Sequence, residues 1–99
     1  MALELFKECL HLSEDNGYQK LEVMSLNHLG VLCYHIGASD QACTYYKEVI
    51  KRTHNYNNHY DINCNSLINL GLIYYNNKEY EEAYLCYQKV IQQVNEKNM

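Results

Sequence analysis

The sequence predicts an all-α protein, a right-handed α-solenoid of five antiparallel helices with no strand. Three observations carry this reading. Proline is absent from all 99 residues, so nothing in the composition forces a helix to kink or stop. Apolar residues recur at three- and four-residue steps, the spacing of one helix face. The chain also repeats itself: SLNHLGVLCYHIGASDQACTYYKEVI at 25–50 aligns without gaps with SLINLGLIYYNNKEYEEAYLCYQKVI at 66–91. Gly30 falls on Gly71, Ala42 on Ala83, Tyr46 on Tyr87 and Ile50 on Ile91, all at an offset of 41. A partial third copy, ALELFKECL at 2–10, lies over ACTYYKEVI at 42–50, matching Ala2 to Ala42, Phe6 to Tyr46 and Leu10 to Ile50.

Each element follows from this pattern. A first helix over about 2–14 ends at Asn16-Gly17, because glycine tolerates the left-handed conformation of a helix cap. A second spans about 18–36 and stops at the turn Gly37-Ala38-Ser39, with Ser39 as the N-cap of a third over about 40–54. A fourth, over about 60–76, turns Ile62, Cys64, Leu67, Leu70, Gly71 and Tyr74 inward. Asn76-Asn77-Lys78 makes the next short turn. The fifth, over about 79–96, has Tyr80, Ala83, Tyr84, Tyr87, Val90, Ile91 and Val94 on its apolar side. Glu81, Glu82, Gln88, Lys89, Gln92 and Gln93 take the other side. Short turns force neighbouring helices antiparallel. Gly30 and Gly71, with Ala42 and Ala83, allow close helix approach, and Tyr46 and Tyr87 fill the space towards the next unit.

Composition excludes several functions. Hydrophobic residues make up 47% and charged residues 20%, within the range of globular domains, so the chain is not expected to be disordered. No apolar run approaches the roughly eighteen residues of a membrane span, and MALELFKECLHLSED lacks the basic start of a signal peptide. No membrane association is expected. A net charge of −4 argues against nucleic acid as a partner. Five cysteines, at 9, 33, 43, 64 and 86, include no C-x-x-C pair; an odd set without a leader suits a reducing, cytoplasmic setting. The histidines at 11, 28, 35, 54 and 59 lack the spacing of a metal site on a helix, and no nucleophile elbow or phosphate loop is present. The protein is therefore not expected to be an enzyme, and no cofactor or metal is expected.

With these residues in place, the sequence resembles the tetratricopeptide repeats. Leu26, Leu29, Gly30, Gly37, Ala42 and Tyr46 carry the resemblance in one unit, and Leu67, Leu70, Gly71, Tyr74, Tyr80, Ala83 and Tyr87 in the other. Cys33 stands where an aromatic is usual, Lys78 where a glycine is common, and the proline that often ends a unit is missing. The resemblance divides a single domain, 1–99, into a partial repeat with only its second helix (1–17) and two full ones (18–58 and 59–99). The period of 41 exceeds the family's usual spacing of about 34 by close to two helical turns. This longer unit is similar to the repeats of kinesin light chain and of Pins-type polarity scaffolds. The extra residues are expected within KRTHNYNNHYD, 51–61.

The resemblance implies a concave groove lined by the first helix of each pair. Helical phase then places Met24, Asn27, His28, Val31, Tyr34 and His35 of one unit in it, with Asn65, Ile68, Asn69, Leu72, Tyr75 and Asn76 of the other. Carboxamides suit the backbone of an extended peptide and the apolar residues suit its side chains. Asn69 is the foremost candidate, since family members often clamp a ligand's main chain with an Asn before the Leu-Gly pair; His28 holds the equivalent place. Neither first helix offers Lys or Arg to this face, so an acidic tail of the kind carried by heat-shock chaperones is not the expected ligand. The implied function is a protein–protein interaction module or scaffold. The alternative is a structural or self-associating segment of a longer array. The apolar residues of 2–12, Leu3, Leu5, Phe6, Cys9, Leu10 and Leu12 among them, spread over an arc that one neighbouring helix cannot cover, so self-association or fraying is expected there. The acids at Glu14-Asp15 and Glu79–Glu82 are expected on solvated faces, where those in a first turn favour the helix N-terminus.

Overall fold

A computed structural model of the chain describes residues 2–54 and 59–97. Five α-helices account for nearly all of them: α1 (Ala2–Asn16), α2 (Gln19–His35), α3 (Ser39–His54), α4 (Tyr60–Asn76) and α5 (Tyr80–Lys97). Among the described residues there is no strand. The expected boundaries hold to within two residues. Gln19 to His54 alone is longer than the usual unit of about 34 residues, so extra length resides in the helices themselves. The expectation that 51–61 carries the additional residues falls partly on 55–58, which lie outside the described residues.

Three turns share one design. Ala38 N–H bonds to the Cys33 carbonyl at 2.8 Å and Gly37 N–H to that of Tyr34 at 3.1 Å. Tyr18 and Gly17 do the same with Ser13 and Glu14, and Glu79 and Lys78 with Tyr74 and Tyr75. Each is a Schellman cap, which satisfies the last carbonyls of a helix with one residue in the left-handed region. That residue is Gly17 (φ 71°), Gly37 (φ 84°) and, against the usual chemistry, Lys78 (φ 64°). Ser39 is not the N-cap of α3 as its side chain suggested. The first helical bond runs from Ala42 N–H to the Ala38 carbonyl, so Ala38 caps the helix with its backbone.

Residues equidistant from a turn face one another, as antiparallel packing requires. Gly30 meets Tyr46 and Gly71 meets Tyr87 through direct ring-on-backbone contact: a Cβ at these glycines would lie 2.6 and 2.7 Å from the respective Cε1 atoms. Each helix packs on its neighbours in sequence, and α2 also reaches α4. One cluster joins Cys33, Ala42, Tyr46, Leu67, Leu70, Ile73 and Cys86; a second joins Val23, Leu26 and Val49.

Polar side chains tie the helices together, among them Glu14 and Gln93, which are expected from the sequence on solvated faces. Arg52 of α3 reaches Glu14 of α1 and Glu22 of α2, both at 2.8 Å, and Glu48 of its own helix at 2.9 Å. Burial works against the Arg52 charge, but the three carboxylates more than offset it and hold the guanidinium protonated. At the equivalent places of the second unit, Gln93 donates to the Asn63 carboxamide oxygen at 2.8 Å, and Asn63 donates to Thr53 Oγ1 at 2.8 Å. Gln93 is thus half-buried between helices rather than on the outer face. An ion pair in one unit becomes an amide pair in the next.

The two ends differ from the middle. On α5, Tyr80, Tyr84, Ile91 and Val94 were expected on the packed side, yet they are exposed. Their equivalents in α3, Cys43, Ile50 and Thr53 among them, are covered by α4, and no described helix does the same for α5. On α1, Leu5 and Leu12 are exposed, while Leu3, Phe6, Cys9 and Leu10 are half-buried.

Candidate functional site

Among the described residues, two hydrogen bonds link α2 and α4, which lie side by side. Ser66 Oγ, itself buried, donates to the Asn27 carboxamide oxygen at 3.1 Å, and Asn76 Nδ2 donates to Tyr34 Oη at 2.9 Å. Between these bonds lies a cavity of about 210 Å³. Val31, Tyr34 and His35 of α2 form one wall, Asn69 and Leu72 of α4 the other, and Tyr46 of α3 completes the lining.

The twelve groove residues of the sequence reading divide accordingly. Five line the cavity: Val31, Tyr34, His35, Asn69 and Leu72. Asn27 and Asn76 serve the α2–α4 link, their amides already engaged. His28 is exposed, its ring 5.0 Å from that of Phe6 in a stacked arrangement and its Nδ1 2.9 Å from the Met24 carbonyl. Met24 lies with Tyr18 and Leu21 in a separate depression at the start of α2. Asn65 and Ile68 are exposed on α4 outside the cavity, and Tyr75 meets Tyr80 of α5 edge-on at 5.4 Å.

Asn69 differs from the other candidate amides. It is half-buried, and no side-chain partner is found for it among the described residues. Its carboxamide keeps both a donor and an acceptor free beside apolar Val31 and Leu72. Tyr46 was missed as a lining residue because its spacing marks it as core. It is core, and the glycine opposite draws it across so that one edge also reaches the cavity. Burial, reinforced by the nearby thiols of Cys33 and Cys43, pushes its phenol up to about 12, so the ring stays neutral at ordinary pH. No Lys, Arg, Asp or Glu lines the cavity. Among the described residues no three His, Cys, Asp or Glu side chains gather as a metal site, and no helix is long and apolar enough to cross a membrane.

The model of the tetratricopeptide repeat family matches residues 64–93, which span most of α4 and α5. No curated protein matches the sequence.

Proposed function

From the premise that this chain is a tetratricopeptide repeat protein, we propose that it binds a partner protein through an extended peptide laid between α2 and α4. Repeats of this family generally mediate protein–protein interactions and are typically non-catalytic. The observation that carries the reading is the uncommitted carboxamide of Asn69 in a neutral cavity with apolar walls. A peptide main chain offers the matching donor and acceptor, and an uncharged side chain fits the space beside Val31 and Leu72. His28, Asn65, Ile68 and Tyr75 flank this centre and extend the surface along the two helices, with Asn76 held to Tyr34 at one end. In this reading the chain is one domain of a partial unit, 1–17, and two units, 18–58 and 59–99. Its five free cysteines fit a reducing compartment, the cytoplasm.

Selection of random twelve-residue peptides on the immobilised chain tests the proposal. Selected sequences should be rich in uncharged and apolar residues and poor in acids. Binders that are all strongly acidic, or none that compete with one another for one site, would overturn it.

A second reading has its own observation. Leu5 is 58% and Leu12 62% exposed on α1, and an apolar strip of that kind favours association through residues 2–12. Sedimentation of the chain at rising concentration distinguishes the two. Dimers abolished by Leu5→Glu with Leu12→Glu support this second use, and a monomer at all concentrations removes it.

A further inference from the structure

A second cavity, of about 270 Å³, lies where α3 and α5 straddle α4, and it shares no residue with the groove. Its floor is apolar, formed by Leu67 and Leu70 of α4 with Cys86 of α5, all three buried. The chain's own repetition explains why it is open. At the offset of 41, Cys86 stands where the first unit has Tyr45, and Leu67 stands where it has Leu26. Tyr45 is half-buried and packs against the cluster of Val23, Leu26 and Val49. In the second unit the thiol is shorter by a whole phenol ring, and the space that the ring fills is left over.

The rim adds charge. Lys47 of α3 and Lys89 of α5 both line the cavity, against the single carboxylate of Glu82. The Lys47 ammonium sits 5.9 Å from the centroid of the Tyr74 ring, and its hydrogen bond with that phenol pushes its pKa up. Both lysines line the cavity that Cys86 floors; burial raises the Cys86 thiol, and the ammonium groups of Lys89 and Lys47 pull the other way. Neither lysine is ion-paired among the described residues. Lys89 also replaces Glu48 of the first unit, so loss of the ring coincides with a reversal of charge.

We propose that this cavity receives a Phe or Tyr side chain of a partner protein that carries an acidic residue beside the aromatic one. The ring takes the place that Tyr45 fills in the first unit, and the acid meets Lys47 and Lys89 at the rim. Such a contact lies on a different face from the peptide groove and does not depend on it.

Two-dimensional NMR of the whole chain, titrated to millimolar concentration with the peptide acetyl-Asp-Phe-Asp-amide, tests this. Saturable shifts should centre on Leu67, Leu70, Cys86 and Lys89. Acetyl-Asp-Ala-Asp-amide should give none, and acetyl-Lys-Phe-Lys-amide should bind several-fold more weakly. Cys86→Tyr, which rebuilds the first unit's packing, should abolish binding and melt no lower than the parent chain. Lys89→Glu, a change on the exposed rim, should weaken it two- to fivefold, roughly the worth of an exposed charge pair, and stands as the check if the tyrosine variant does not fold. The proposal fails if the shifts lie elsewhere or if Lys89→Glu binds as tightly as the parent. It also fails if 3-phenylpropionate shifts these signals while the peptide does not, since the occupant is then a free aromatic acid.

Discussion

Gly30 and Gly71 hold equivalent places, but a methyl group should not cost the same at both. At Gly30 the added Cβ meets Tyr46, which is 2% exposed and packed in the core on every edge but the one at the cavity. At Gly71 it meets Tyr87, which is half-buried and free to swing outward. Gly30→Ala should lose about 1–3 kcal/mol by overpacking, and Gly71→Ala under about 1 kcal/mol, part of it returned by the better helix propensity of alanine. Denaturant melts of the two variants check this, and equal losses would show that ring confinement is not what sets the cost. Lys78 presents the opposite case. It holds a φ of 64° where the first unit has Gly37, so Lys78→Gly should gain about 0.5 kcal/mol, strain relief outweighing the extra freedom of the unfolded chain. Tyr46 makes a prediction in pH. Its phenol is raised to about 12 in the folded protein against 10.0 when free. The neutral phenol therefore contributes stability that is fully present below pH 10.0 and is lost as pH rises through about 12. Tyr46→Phe should unfold at higher pH than the parent chain; alkaline titrations followed by circular dichroism would show the two together if burial of this phenol does not matter.

At the scale of elements, three helices meet at one guanidinium. Arg52 joins α1, α2 and α3, and its partner Glu22 is largely buried. Removing the guanidinium takes this ion pair from a largely buried carboxylate, which costs more than the pair itself contributes. The second unit already contains the neutral solution, Asn63 with Gln93. Arg52→Gln should therefore lose about 2 kcal/mol, and adding Glu22→Asn should recover more than half of that. A double-mutant cycle in urea measures the recovery. Additive losses would mean that the two units do not use this position in the same way.

At the scale of the molecule, the five helices and their turns were legible because their signals are local: apolar steps of three and four, glycine at Gly17 and Gly37, and an offset that repeats. What escaped required knowledge of which helices converge. Glu22 and Arg52 are thirty residues apart, and each alone reads as a surface charge. Tyr80, Tyr84, Ile91 and Val94 read as packed because they fall on the apolar period of their helix, but no described helix covers that side of α5. The groove was half legible. Helical phase found Val31, Tyr34, His35, Asn69 and Leu72, but it cannot tell an amide that links two helices, as in Asn27 and Asn76, from one left for a ligand.

The central claim is that the face between α2 and α4, with Asn69 at its centre, binds a peptide. NMR titration of the chain with the tightest peptide from the selection tests it most directly. The largest shifts should fall on Val31, Tyr34, Asn69 and Leu72. Asn69→Ala should weaken binding about tenfold, the worth of one or two hydrogen bonds, while its melt stays within about 0.5 kcal/mol of the parent. Shifts confined to α1 or α5, with Asn69→Ala binding as tightly as the parent chain, would contradict the account.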